Sequence, residues 1–329
     1  MSRKIDIQSL EKGDRRTLGR AITLLESSRS DHREQAEALL ASLMPKTGGS
    51  LRIGITGVPG VGKSSFIEVF GNHIIEQGKR VAVLTIDPSS SLTGGSILGD
   101  KTRMQTLSVN PGAFIRPSPS NLTLGGVARR TQETILLCEA AGFDVIIVET
   151  VGVGQSETLV ANMTDVFLLM LLPSGGDDLQ GIKRGIMELA DIAIVNKADG
   201  SMKTAATRSA ADLKHALQLI QPRFKDWKVP VELISALEKT GIDSVWEQIN
   251  RYVGTLGEER IKARRSEQSL TWFWSEAREG LMERLRIDAR VQGDIKKLEN
   301  QVQCQSLPPS IAAGKLVDAF LGELFEKEQ

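Results

Sequence analysis

Hydrophobic residues divide the chain into a central zone of short apolar strands and a helical zone on either side. Six strands are predicted in the centre, at residues 51–56, 81–86, 145–148, 166–172, 192–195 and 231–234. Several are apolar on both faces, which is typical of a parallel sheet covered by helices on each side. The stretches between them are long enough for crossover helices. Residues 51–255 are therefore predicted to form an α/β domain with a doubly wound, mostly parallel sheet.

The two flanking zones are predicted to be helical extensions. In residues 1–50, Asp14 resembles an N-cap before a first helix, and a second amphipathic helix stops at Pro45. Residues 256–329 are predicted to be a C-terminal helical arm with an apolar stripe, formed by Leu270, Phe273, Trp274, Ala277, Leu281 and Leu285. Because such a stripe must be buried, it packs on the chain's own core or forms a dimer contact.

Composition narrows the class of protein. The 329 residues include 41 Lys plus Arg and 41 Asp plus Glu, so the formal net charge is zero. A protein that coats nucleic acid or an anionic membrane usually has an excess of basic residues. The only cysteines are Cys138 and Cys304, which excludes a disulfide scaffold or a four-cysteine zinc site. No apolar run approaches the ~20 residues that span a bilayer, and the N-terminus lacks a signal core. We expect a soluble, cytoplasmic protein without a nucleic acid or membrane partner.

A complete phosphate-binding motif follows the first strand. Its nine residues are Gly57, Val58, Pro59, Gly60, Val61, Gly62, Lys63, Ser64 and Ser65. Residues 66–75 are predicted to form the helix that this motif requires after it. The glycines allow backbone N–H groups to surround phosphate oxygens, and the helix N-terminus adds a partial positive charge. Lys63 is expected to reach the β- and γ-phosphates, and the Ser64 hydroxyl to bind Mg²⁺.

A second motif predicts that the base is guanine. After the strand at 192–195 come Asn196, Lys197 and Asp199, in an NKxD pattern. A carboxylate at Asp199 can accept from guanine N1–H and the 2-amino group, and adenine lacks both donors. ATP would leave a buried charge unpaired, so a strong preference for GTP and GDP is expected. After the next strand, Ser235, Ala236 and Leu237 fit a loop with a backbone contact to guanine O6.

Acidic residues at strand ends are candidates for Mg²⁺ binding. Glu149 ends one strand, where many GTPases have the acid of a DxxG motif, and Asp87 ends another, where it could serve Mg²⁺ or the attacking water. No residue is marked by sequence as the catalytic glutamine or arginine. Gln155, Arg103 and Lys183 are candidates, or a partner supplies the group. We therefore expect slow intrinsic GTP turnover that a partner stimulates.

Four longer segments resemble the MeaB/ArgK family of P-loop GTPases, of the same broad class as the nickel-insertion GTPases of hydrogenase and urease. The segments are residues 87–90, 93–104, 148–157 and 175–183. The resemblance is close over residues 50–240. It implies a homodimeric GTPase that is a chaperone of an adenosylcobalamin-dependent acyl-CoA mutase, typically methylmalonyl-CoA mutase. Such a protein gates cofactor loading and protects the mutase during turnover.

The resemblance also implies roles for individual residues. Lys63 and Ser64 would contact phosphate and Mg²⁺, and Asp87 and Glu149 would belong to the Mg²⁺ shell. Asp100 and Arg103 would lie in a first switch, residues 149–157 would form a second, and residues 175–183, ending at Lys183, a third. Lys63, Asp100, Arg103 and Lys183 are therefore the candidate catalytic residues. The C-terminal helices would form the dimer arm.

Two other functions remain open. A metal-insertion GTPase would need a soft or imidazole metal site, and two separated cysteines with three scattered histidines argue against a dedicated one. The second is a transport-associated kinase, which is an older functional assignment of this family. A kinase would need a pocket for a phosphoryl acceptor, and the sequence indicates no residues for such a pocket.

Overall fold

A parallel sheet organises the part of the chain that the computed structural model describes, which is residues 5–27, 29–86, 104–117, 124–150, 156–173 and 184–325. Within those residues the strands are β1 (Leu51–Gly57), β2 (Val81–Ile86), β3 (Ala113–Pro117), β4 (Val145–Thr150), β5 (Val166–Leu171), β6 (Ile192–Val195) and β7 (Val231–Leu233). Their order is β3-β2-β4-β1-β5-β6-β7, and every pair is parallel. The predicted doubly wound α/β fold is confirmed.

Helices connect and flank these strands. On the N-terminal side are α1 (Ile7–Glu11), α2 (Arg15–Glu26) and α3 (Ser30–Leu43). Those between strands are α4 (Lys63–Glu76), α5 (Gln105–Val109), α6 (Leu124–Ala140), α7 (Ser156–Ala161), α8 (Arg184–Leu189) and α9 (Lys203–Gln218), and after β7 come α10 (Ile242–Ile287), α11 (Gln292–Gln303) and α12 (Pro309–Phe325). The Asp14 carboxylate caps α2 by accepting from the Thr17 amide at 2.8 Å, as the sequence predicted.

Alternate residues of each strand enter different cores, as the period of two requires. Ile53 and Ile55 of β1 pack in one core with side chains of α4 and α10, including Phe66, Phe70 and Tyr252. On the other face, Ile146 and Val148 of β4 pack with α2 and α6. A smaller core forms between β5, β6 and α9. The N-terminal helices therefore complete the cover of one sheet face. Cys138 is fully buried there.

Strand β3 was missed by the sequence pattern. Among the described strands it lies at the edge of the sheet and pairs with β2 alone. Only three apolar residues precede Arg116 and Pro117 in it, and a proline usually argues against a strand. An edge strand tolerates proline because one side of its backbone needs no ladder partner.

The C-terminal helices bury only part of the predicted apolar stripe, for which packing on the chain's own core and a dimer contact were the two alternatives. The backbone of α10 is interrupted at Gly257, with φ of 72°, and the chain forms two compact units, Met1–Ser266 and Glu267–Gln329. In the second unit α11 packs on α12, and Leu285 is buried. Four other residues of the stripe are exposed: Leu270, Phe273, Trp274 and Leu281. For these four, the alternative that the stripe packs on the chain's own core is wrong.

Buried ion pairs join α10 to the amino-terminal edge of the sheet. Asp191, which immediately precedes β6, accepts from the Phe167 amide and the Tyr252 hydroxyl, both at 2.9 Å, and from Arg264 at 3.3 Å. Burial, together with the charge of Asp191, raises the pKa of the Tyr252 phenol, so the hydroxyl stays protonated and donates. Beside this group, Arg265 forms a two-pronged pair with Asp165, with a 2.7 Å bond from Nε.

We expect Asp191→Ala to destabilise the protein by about 3–5 kcal/mol, because it takes the carboxylate partner from the buried Arg264 guanidinium and the acceptor from two buried donors, the Phe167 amide and the Tyr252 hydroxyl. Asp226→Ala is the matched control, since Asp226 pairs with Arg260 on the surface, where both side chains are about half exposed. That exposed pair should contribute only about 0–1 kcal/mol. Urea unfolding followed by circular dichroism measures both. Equal midpoints for the two variants would contradict the expectation.

Candidate functional site

The phosphate loop connects the end of β1 to the first residue of α4. Gly57 passes so close to β5 that an added Cβ would collide with the Met170 carbonyl oxygen. Gly62 has φ of 92°, and its Cβ would lie 2.6 Å from the Asn196 Nδ2. The helix begins at Lys63, three residues earlier than the sequence pattern indicated. Loop and helix N-terminus therefore occur together at the centre of the sheet's carboxyl edge.

Lys63 is folded onto this loop. Its ammonium donates to the Gly57 carbonyl oxygen at 2.7 Å and approaches that of Val58 at 3.4 Å. The residue is only 7% exposed. Burial lowers the pKa of its ammonium, and the carboxylates of Glu149 and Glu157 oppose that effect. The Lys63 charge is thus held among loop carbonyls and two acidic side chains, where a more strongly charged ligand could replace the carbonyl contacts.

Ser64 and Glu149 meet at the start of α4. The Ser64 hydroxyl donates to the Glu149 Oε1 at 3.3 Å. Glu149 lies near the end of β4 and is 4% exposed, while its strand runs directly beside β1. A hydroxyl and a carboxylate are oxygen ligands of the kind that Mg²⁺ takes. These residues therefore fit a hard divalent cation next to the phosphate loop.

Asn196 connects the phosphate loop to the predicted base-reading loops. Its side chain, 2% exposed, donates to the Val61 carbonyl oxygen at 2.8 Å and accepts from the Ala236 amide at 3.2 Å. One amide side chain therefore holds three segments together: the loop after β1, the loop after β6 and the loop after β7. The sequence motif indicated that Asn196 belongs to the site, but not that it makes these two contacts.

Asp199 and Ser235 form the rest of the base-reading loops. The Ser235 hydroxyl donates to the Asp199 Oδ2, and the Ala198 amide donates to the Ile234 carbonyl oxygen at 2.9 Å. Lys197, which precedes Ala198, is exposed and has a left-handed φ of 59°. Asp199 is only half-buried. Part of Asp199 is therefore accessible at the same carboxyl edge of the sheet.

The loop after β7, which is predicted to contact guanine O6 through its backbone, makes backbone contacts within the protein. Ser235 pairs with Thr240 in an isolated antiparallel bridge, with two bonds of 3.1 Å. The Ala236 amide is engaged by Asn196, and the Leu237 side chain is 83% exposed. A contact from the Ala236 amide to guanine O6 would therefore share that amide with Asn196.

Other predicted residues lie outside the described residues. These are Asp87, Asp100, Arg103, Gln155 and Lys183, together with most of the predicted switch segments. Conversely, Glu157 on α7 was assigned no role of its own by the sequence pattern, yet its charge acts on Lys63. Thr150 also joins β4 to β1 near the site, donating to the Thr56 hydroxyl at 3.0 Å. Among the described residues, no helix combines the length and the hydropathy needed to cross a membrane.

Known proteins resemble this chain over most of its length. GTPase ArgK of Escherichia coli is 47% identical over 280 residues, or 85% of each chain. The mouse protein named methylmalonic aciduria type A homolog, mitochondrial, is 44% identical over 322 residues, covering 94% of this chain and 78% of the mouse protein. A solved structure titled LAO/AO transport system kinase has a TM-score of 0.77 at 37% identity, covering 96% of both chains.

The family model described as methylmalonyl Co-A mutase-associated GTPase MeaB matches residues 18–290. That span contains the phosphate loop, the ion-binding candidates and the base-reading loops. The sequence motifs therefore lie within the part of the chain that matches the family. This chain belongs to the MeaB family of P-loop GTPases and is a GTP hydrolase.

Proposed function

We propose that this GTPase is a chaperone of an adenosylcobalamin-dependent acyl-CoA mutase, with methylmalonyl-CoA mutase as the first candidate. GTP hydrolysis would gate loading of the cofactor and protect the mutase from inactivation. The observation that carries the proposal is the family match over residues 18–290. The mouse relative's name, methylmalonic aciduria type A homolog, is consistent with a mutase client.

The proposed contacts to the nucleotide are inferred from the hydrogen bonds that the phosphate loop and the base-reading loops make within the protein. Backbone amides of residues 57–65 would surround the phosphates, and the Lys63 ammonium would leave the Gly57 carbonyl for the β- and γ-phosphates. Asp199 would pair with the guanine edge. Asn196 would keep the two regions at a constant separation, because it bonds to both. Ser235, Ala236 and Leu237 would border the base.

Mg²⁺ would be held by Ser64 and Glu149, with Asp87 as a further ligand. The bound ion would neutralise charge on the β- and γ-phosphates and so favour phosphoryl transfer. The 3.3 Å contact between the Ser64 hydroxyl and Glu149 supports this assignment, because both oxygens already converge beside the loop. Asp100, Arg103 and Lys183 remain catalytic candidates from the family resemblance.

We also propose a homodimer that uses the C-terminal helices, in keeping with the division into residues 1–50, 51–255 and 256–329. The exposed side chains of Phe273 and Trp274, 58% and 69% exposed, support it because large apolar residues are rarely left in water together. Light scattering tests this directly, and a monomer at micromolar concentration would contradict it. A cytoplasmic location stays a prediction of the sequence.

The experiment measures GTP hydrolysis by the purified protein, alone and with methylmalonyl-CoA mutase, with ATP and a Mg²⁺-chelated sample as controls. We expect slow turnover of GTP alone, a clear increase with mutase, and no turnover of ATP or without Mg²⁺. A second enzyme of similar size that binds no cobalamin is the matched protein control. An intrinsic rate near ~100 s⁻¹, or equal stimulation by the control enzyme, would contradict the proposal.

One solved relative favours a second candidate function, since its title names a transport system kinase. A kinase would transfer the γ-phosphoryl group to an acceptor and release no free phosphate. The same reactions run with γ-labelled GTP distinguish the two. Label on a protein or small molecule would favour the kinase, and label found only in inorganic phosphate would favour the chaperone GTPase.

A further inference from the structure

A cavity of about 350 Å³ lies beside the small core of β6 and α9, away from the nucleotide loops. Its apolar wall includes Leu217, Ile220 and Val229, which belong to that core or pack against it. The volume is within the usual range of ligand pockets, roughly 300–1,000 Å³. The cavity is therefore large enough to take a small organic molecule.

The position of the cavity separates it from the GTP site. Ala190 and Val229, which line it, come just before β6 and β7, so the cavity is at the amino-terminal edge of the sheet. The phosphate loop and base-reading loops follow the carboxyl ends of β1, β6 and β7. A molecule in this cavity would not compete with GTP for the same residues.

The rim of the cavity is cationic. Lys214, Arg223 and Lys228 line it, against Glu188 as the one acidic residue of the lining. Among the described residues, no hydrogen bond or ion pair engages these three cationic side chains. Partial burial and the charge of nearby Arg264 lower the pKa of the Arg223 guanidinium, although Asp191 opposes them. An added negative charge would therefore be stabilised at this rim.

We propose that this cavity binds a small organic anion, with its phosphate, sulfonate or carboxylate group at Arg223 and Lys228 and its apolar body against Leu217, Ile220 and Val229. The combination of an apolar wall with cationic side chains in one cavity selects for both parts of such a molecule. An inorganic anion would gain only the charge contacts, and an apolar cation would be repelled by the rim. The inference does not depend on the identity of the client mutase.

The test is calorimetric titration of the full chain loaded with GDP and Mg²⁺, so that the phosphate loop is occupied. The three probes are naphthalene-2-sulfonate, sulfate alone and 2-naphthylmethylammonium. We expect saturable one-to-one binding of the naphthalenesulfonate and much weaker binding of the other two. The double variant Arg223→Ala with Lys228→Ala should lower the affinity for naphthalene-2-sulfonate by about tenfold or more.

Lys225→Ala is the matched control, because Lys225 is an exposed lysine of the same loop that does not line the cavity. It should leave binding unchanged. Val229→Phe is a second variant, which fills the cavity without altering its charge. It should also weaken the binding of naphthalene-2-sulfonate. All variants should hydrolyse GTP at the unmodified rate, which separates this test from that of the proposed function.

Three results would overturn the inference. One is the absence of naphthalenesulfonate binding. Another is equal affinity for the sulfonate and the ammonium probe, which would indicate binding to exposed apolar side chains such as Phe273 and Trp274. The third is a loss of binding free energy per positive charge removed that is the same for Lys225→Ala as for the double variant, since net charge alone would then explain the loss.

Discussion

Lys63→Ala is expected to reduce kcat/KM for GTP by about 10²–10³-fold or more while leaving the protein folded. Removing one donor that stabilises charge in a transition state typically costs that much, and the buried Lys63 ammonium donates to a carbonyl oxygen of the phosphate loop. Its main contacts in the present structure are to the carbonyl oxygens of Gly57 and Val58. The substitution therefore removes the ammonium that we propose binds the phosphates, together with the buried stem that carries it.

The measurement is GTP turnover at several GTP concentrations, with circular dichroism to check the fold. Lys79→Ala is the matched control, because Lys79 is an exposed lysine just beyond the other end of α4. Lys63→Arg is informative as well, since a planar guanidinium keeps the charge but does not fit a site shaped for an ammonium. A Lys63→Ala protein that retains turnover within about tenfold of the unmodified enzyme would remove Lys63 from the mechanism.

Asp199→Asn is expected to exchange the base preference of the enzyme. The carboxylate of Asp199 would accept two hydrogen bonds from guanine, and charge-assisted bonds contribute about 1.5–3 kcal/mol each. Loss of both should weaken GTP by about 10²-fold or more. Xanthine carries a carbonyl where guanine carries its 2-amino group, so the amide of an asparagine can donate to it. XTP should therefore become a better substrate than GTP.

The measurement is the kcat/KM ratio for GTP, XTP and ATP in the unmodified protein and in Asp199→Asn. Asp212→Asn is the matched control, since Asp212 is an exposed aspartate on α9. Ser235→Ala is expected to have a smaller effect than Asp199→Asn, because it removes only the hydroxyl that orients the carboxylate. If Asp199→Asn still prefers GTP over XTP, another residue determines base selectivity.

Features that depend on residues close together in the sequence could be predicted from the sequence. The phosphate loop, the NKxD pattern and the strand periodicity each lie within a few consecutive residues, and backbone geometry relates such residues directly to function. The Asp14 cap of α2 is of the same kind, because its partner Thr17 is three residues away. The parallel sheet also followed, since strands apolar on both faces need helices on both sides.

Other features depended on the order of the strands in space. Strand β3 is recognisable only beside β2, since its own residues include a proline. The cationic cavity combines the end of α8, the end of α9 and the loop before β7. The apolar stripe of the C-terminal arm has the same helical period whether it is buried or exposed. Its exposure could therefore not be predicted from the period, because it depends on which elements pack around the helix.

The contacts that assemble the nucleotide site span long stretches of chain. Asn196 bonds to a residue 135 positions before it and to one 40 positions after it, and Ser64 bonds to Glu149 across 85 positions. The sequence by itself determined which side chains are available for phosphate, guanine and Mg²⁺. Only the tertiary structure decided which of them meet, because the parallel order around β1 brings the carboxyl ends of distant strands to one edge.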